Sequence, residues 1–233
     1  MAMRSTSLTK PGGQLALPRT SGWGGARPGA GRKREAVRPQ VPHRPRGPHV
    51  AREPLHLTWR AVPGLPSLRG MGVVPEIVAA IGAARCVTSF RVLHFSIQDD
   101  HLHLIVEAQD AASLRAGAQG LGVRLGRAIN RAFGRRGRVL ADRHYLRRLR
   151  TPREVRFALA YVVHNFKKHQ PYAPGLLDPC SSAAWFDGFR EQPALDHEGA
   201  APVQGARTWL ARIGWRRAGL VSVHERPRGS PRL

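Results

Sequence analysis

Two apolar runs that meet at Gln98-Asp99-Asp100 constrain this chain most. Phe90 to Ile97 is rich in β-branched and aromatic residues and predicts a strand. After the polar turn, Leu102, Leu104 and Val106 alternate with His101, His103, Ile105 and Glu107. That period of two predicts a second strand, and the pair predicts a hairpin. On a strand, residues i and i+2 point to the same face, so His101 and His103 project together while Leu102 points the other way.

The flanking patterns supply the rest of a fold. Leu55, Leu57 and Trp59 alternate with His56, Thr58 and Arg60, which predicts a strand ended by Gly64 and Pro66. Val74, Ile77, Val78 and Ile81 predict a short helix over 74–85. Leu114, Ala118, Leu121, Leu125, Ala128 and Ala132 mark a long amphipathic helix ending near Gly134. Val139 to Leu149 predicts a fourth strand or an extended arm. Thr151-Pro152-Arg153-Glu154 carries a Thr cap, Pro at the first helical position and the Glu of a capping box, so a helix runs from 151 to about His169, stopped by Pro171. The expected class is α+β: a ferredoxin-like four-stranded antiparallel sheet with helices on one face and an extra C-terminal helix. The expected division is a basic disordered arm over 1–50, a folded domain over 51–172, and an irregular extension over 173–233.

Charge narrows the partners. The 233 residues hold 38 Lys and Arg against 15 Asp and Glu, a formal net charge of +23. Residues 1–50 carry ten Lys or Arg against Glu35 alone, without hydrophobic periodicity. Nucleic acid is the expected partner, because phosphate neutralisation releases counterions. No apolar run reaches membrane-span length, and no secretory signal is visible. Cys86 and Cys180 form no CxxC pair, which fits a reducing, cytoplasmic setting. Arg124, Arg127, Arg131, Arg135 and Arg136, then Arg143, Arg147, Arg148 and Arg150, read as a basic belt that tracks DNA phosphates. Trp59 and the C-terminal tryptophans are candidates for packing or for stacking on bases.

The candidate chemistry starts from the two histidines. Neutral imidazoles on one sheet face can share a divalent metal. Tyr161 and Asn165, four apart on the 151–169 helix, share a helix face. Val155, Leu159, Val162 and Phe166 form that helix's apolar stripe, with Asn165 on its flank and Tyr161 farther round. Tyr161 is therefore expected to face something outside the helix–sheet core. A tyrosine can attack a phosphodiester when a metal neutralises the phosphate oxygens and stabilises the departing 3′ oxygen. The Asn165 side-chain oxygen is a candidate third ligand.

At this point the chain resembles the single-tyrosine HUH transposases, and specifically the REP-associated tyrosine transposase branch. The resemblance rests on Asp100-His101-Leu102-His103-Leu104-Ile105, Gly137-Arg138-Val139 leading to Asp142-Arg143-His144-Tyr145, and Tyr161-Val162-Val163-His164-Asn165. It spans residues 53–170. It implies that His101, His103 and Asn165 bind Mg2+ or Mn2+. It further implies that Tyr161 forms a 5′-phosphotyrosine link while cleaving and rejoining single-stranded DNA beside a hairpin. The implied assembly is a monomer or a homodimer.

The chain departs from that pattern in three places. Phe166, not Pro, follows Asn165; the aromatic-His order appears as His144-Tyr145; and both tails lie outside the match. Tyr145 is thus a second candidate nucleophile. Three other functions fit parts of the pattern. One is a non-catalytic single-stranded nucleic-acid-binding protein, one a metal hydrolase that uses water, and one a replication-initiator or relaxase-type nickase.

Overall fold

The computed structural model describes residues 47–141, 143–169, 176–193 and 199–227. Most of the expected 1–50 arm, Asp142 and Pro171 lie outside the described residues.

The expected strand–helix–strand–strand–helix–strand–helix order is present. It runs β1 (Leu55–Arg60), α1 (Val74–Gly82), β2 (Phe90–Ile97), β3 (His101–Ala108), α2 (Ala111–Ala132), β4 (Tyr145–Arg148) and α3 (Pro152–His164). The sheet order is β2-β3-β1-β4, with every pairing antiparallel, as in a ferredoxin-like sheet. β3 pairs with both β1 and β2, so it lies inside the sheet and its side chains are covered on both faces.

One sheet face is apolar except at its β4 edge, where Arg148 lies. Leu55, Leu57 and Trp59 of β1, Phe95 and Ile97 of β2, and Leu102, Leu104 and Val106 of β3 pack with Ile77 and Ile81 of α1 and Leu121, Leu125 and Ile129 of α2. The approach of α2 to the sheet is close: a Cβ on Gly117 would lie 2.1 Å from the Phe90 ring. Only glycine fits there. Trp59 is 4% exposed in this core, so it packs and does not stack on bases.

The other face carries α3. Leu93, Ile105 and Leu149 pack beneath Val155, Leu159, Val162 and Val163. A register shift between Val92 and His94 makes a bulge, which sends both Leu93 and His94 toward this side. The Thr151 cap is formed, with Glu154 N donating to Thr151 Oγ1 at 3.2 Å, but the expected capping box is altered: Glu154 Oε2 accepts from Arg150 N, one residue before the cap, at 2.6 Å. The single helix expected to His169 is interrupted at Asn165, after which a short turn, α4 (Phe166–His169), follows. Strand β4 is also shorter than the 139–149 pattern. Before it, Leu140 makes an isolated bridge to Ala61.

The described C-terminal residues form a third layer over α3 and along the β2 edge. Trp215 and Phe186 stack beneath α3, with Phe189, Leu210 and Val221 around them. Arg156 of α3 forms a two-pronged pair with Glu225 and donates to Leu220 O at 2.9 Å. His164 Nε2 lies 2.9 Å from Ser222 O. Glu107, at the end of β3, accepts from Arg207 N and Thr208 N, both at 2.9 Å. Ile97 N donates to Cys180 O at 2.9 Å, which satisfies an edge donor of β2. Among the described residues, no helix is long and apolar enough to cross a membrane.

Candidate active site

Antiparallel register decides which polar groups meet. Residues directly opposite in a sheet share a face. Tyr145 of β4, Thr58 of β1, His103 of β3 and Ser96 of β2 therefore form one row on the α3 side. Arg147, His56, Ile105 and His94 form the next, and Arg60 and His101 lie beyond Thr58 and His103. His101 and His103 do project together, with ring centroids 4.7 Å apart and planes at 86°.

Each imidazole is held through Nδ1. His101 Nδ1 lies 2.6 Å from Asp100 Oδ1. Burial acts against the Asp100 charge, but the His101 hydrogen bond, together with His101 and Arg60 nearby, keeps its carboxyl below the usual range. His103 Nδ1 lies 3.1 Å from Thr58 Oγ1 and 3.1 Å from His56 Nε2. In both rings Nε2 is thus the nitrogen that would be offered to a metal.

His56 is a third imidazole at the site, brought there by register and not by any spacing in the sequence. Its signal was the polar face of β1, where His56, Thr58 and Arg60 alternate with the core residues. Burial, then the nearby Arg147 charge, pushes its pKa down to about 4, so His56 is neutral near pH 7.

Tyr161 comes down onto this row. Its ring stands edge-on to His103 at 5.1 Å and to His56 at 5.8 Å. The expectation that it would face away from the helix–sheet core is corrected: Tyr161 is 7% exposed and faces the sheet. The helical wheel missed this because α3 is enclosed by two layers, so nearly its whole circumference is buried. Tyr145 reaches the same face, but from the edge strand and with β1 between it and β3.

Asn165 sits one turn beyond Tyr161. It is fully buried, and neither its oxygen nor its nitrogen has a hydrogen-bond partner among the described residues. An orphaned buried amide is costly, on the order of 1–3 kcal/mol per group. Such an amide fits a ligand role. Among the described residues, no group of three His, Cys, Asp or Glu could hold a metal ion. A metal centre here would therefore need a donor of another kind beside the imidazoles, such as an amide oxygen.

The expected basic belt is not one surface. Arg124, Arg127 and Arg131 lie on α2, which packs against the sheet face opposite the histidines. Arg135 follows the end of that helix. Arg147 is on the histidine side, opposite His56, and lies 3.7 Å from Glu154. Arg148 is on the other face and is tied to Glu53 at 2.6 Å. Arg143 precedes β4 and is half-buried. Sequence proximity does not reveal that the sheet separates Arg147 from the α2 arginines.

No protein-family model matches the chain, and no curated protein sequence matches it. Among solved structures, the fold is similar to one described as a REP-associated tyrosine transposase bound to a REP hairpin. The TM-score is 0.46 at 14% identity, covering 56% of this chain and 75% of that one.

Proposed function

We propose that this protein is a metal-dependent DNA strand transferase of the transposase kind, with Tyr161 as nucleophile and His101, His103 and Asn165 as metal ligands. The observation that carries the reading is the edge-on seat of Tyr161 against His103, with an unsatisfied Asn165 one turn on. The motif resemblance around His101-Leu102-His103 and Tyr161 to Asn165 supports it.

A bound Mg2+ or Mn2+ would neutralise the scissile phosphate and stabilise charge on the departing oxygen. The chain's own groups do the rest. The Tyr161 hydroxyl oxygen forms a bond to phosphorus and loses its proton. The bond from phosphorus to the 3′ oxygen breaks, and that oxygen leaves as a hydroxyl after taking up a proton. The DNA 5′ end stays joined to Tyr161, and attack by a 3′ hydroxyl reverses the step. Asp100 and Thr58 hold the two imidazoles in orientation, and neutral His56 fills the space beside His103 without adding charge.

The test is incubation with a hairpin-bearing single-stranded DNA and Mn2+, followed by denaturing electrophoresis for a covalent adduct. An adduct that depends on Tyr161 is expected. Binding without any adduct would favour a non-catalytic single-strand-binding protein on the same fold, and product release without an adduct would favour a hydrolase.

A further inference from the structure

The C-terminal end of α2 carries a feature the histidine–tyrosine site does not use. A cavity of about 450 Å3 opens there, lined by Arg127, Arg131, Arg135 and Arg136, with Asn130 and the Gly134–Gly137 turn completing it. No acidic side chain lines it. Arg131 is engaged with Glu76 at 2.8 Å. Arg127, Arg135 and Arg136 have no carboxylate partner among the described residues. Arg135 Nη1 is buried without a hydrogen-bond partner among the described residues.

The backbone builds this convergence. Gly134, at φ +59°, and Gly137, at φ +101°, turn the chain back on itself, and Arg135 N donates to Asn130 O at 2.9 Å. Asn130 Nδ2 braces the turn on Gly137 O at 2.9 Å. Converging guanidinium groups repel, and a buried donor without an acceptor is costly. The negative end of the helix dipole offsets only part of that charge. A ligand with several anionic oxygens removes both penalties, and a phosphate matches the guanidinium fork.

The cavity also has a defined position relative to the histidines. The chain leaves it along residues 138–141, where Val62 N donates to Val139 O at 2.7 Å and Ala141 N donates to Arg60 O at 2.9 Å. Arg60 is the register partner of His101. The cavity therefore lies on the α2 layer but at the end of the sheet where the histidine pair begins.

We propose that this cavity is a site for a nucleic-acid backbone phosphate. It gives DNA engaged at the histidine face a second, non-catalytic anchor on the opposite layer. The inference rests on the nucleic-acid half of the proposed function and not on its chemistry.

The experiment is fluorescence anisotropy of the full chain with a fluorescein-labelled DNA hairpin carrying a single-stranded flank, in EDTA, across about 50–200 mM salt. Arg135→Gln should lower the slope of log Kd against log salt by about one and weaken binding several-fold. Arg127→Ala/Arg135→Gln/Arg136→Ala together should lower it by about two to three. Arg135→Lys should keep most of the slope while still weakening binding, because it retains the charge but loses the fork. Arg115→Ala, an equal charge loss at an exposed position toward the other end of α2, should leave both nearly unchanged. Circular dichroism checks that each variant is folded. An unchanged slope in the triple variant, an equal loss in Arg115→Ala, or no hairpin binding by the parent chain would overturn the proposal. Because EDTA prevents cleavage, a missing covalent adduct in Mn2+ would sink the strand-transfer reading and leave this one standing.

Discussion

The Tyr161 ring stands edge-on to the His103 ring, with centroids 5.1 Å apart and planes at 84°. Helix α3 and strand β3 are distant in sequence, and the packing of α3 on the sheet creates this contact.

The first prediction concerns which tyrosine reacts. Tyr161 lies over His103, whereas Tyr145 sits on the edge strand with β1 between. Tyr161→Phe should abolish the covalent DNA adduct, and Tyr145→Phe should retain most of it. Gel quantification of labelled DNA checks both. An adduct that survives Tyr161→Phe but disappears in Tyr145→Phe would reassign the nucleophile.

Asn165 separates a ligand role from a structural one. Its amide is buried without a hydrogen-bond partner among the described residues, so Asn165→Leu should leave metal-free stability unchanged or raise it by about 1–2 kcal/mol. The same change should remove the rise in melting temperature produced by Mn2+. Thermal denaturation with and without Mn2+ reads both effects. A large loss of metal-free stability would mean that the amide serves the fold.

Orientation of the imidazoles is a third point. Thr58 Oγ1 and Asp100 Oδ1 contact the Nδ1 atoms of His103 and His101. Thr58→Val and Asp100→Asn should each weaken Mn2+ binding by about tenfold or more, with little change in melting temperature. Isothermal titration calorimetry measures this, and unchanged Mn2+ affinity in both variants would remove these groups from the site.

The C-terminal layer makes a prediction of its own. Arg156 is 8% exposed, and its two-pronged pair with Glu225 ties α3 to that layer. Glu225→Gln leaves the Arg156 charge only partly compensated, and should cost about 2–3 kcal/mol in urea denaturation. Adduct formation should fall with it, because Tyr161 is carried by α3. A loss below about 0.5 kcal/mol would make the pair an ordinary surface contact.

Acid should weaken the fold through His94. Burial pushes its pKa from the usual 6.5 down to about 4, although Asp187 acts the other way. Between those values the unfolded chain takes up a proton that the folded chain refuses. The stabilisation is therefore complete above about pH 7 and is lost as pH falls toward 4. The residue is only half-buried as a whole, so its share is on the order of 1–2 kcal/mol, below the full linkage value. Urea midpoints at pH 7 and 5 should differ less in His94→Gln than in the parent chain. An equal difference would remove His94 from the acid response.

Local patterning carried most of the architecture. Alternation in Leu55–Trp59 and in His101–Glu107, the apolar spacing of α2 and the Thr151 cap are properties of neighbouring residues, and each produced the element it predicted. The period of two also set His101 and His103 on one face without reference to anything distant. Four other features depended on residues far apart in the chain. Antiparallel register, not spacing, brought His56 and Thr58 to His103. Enclosure by the C-terminal layer buried α3 on nearly all sides and turned Tyr161 toward the sheet. The intervening sheet put Arg147 of β4 and the α2 arginines on different surfaces. The glycine turn after α2 converged arginines that a linear reading records only as charge. Periodicity reports which side of its own element a residue occupies. What that side meets depends on how the layers pack, and that is a long-range property of the whole fold.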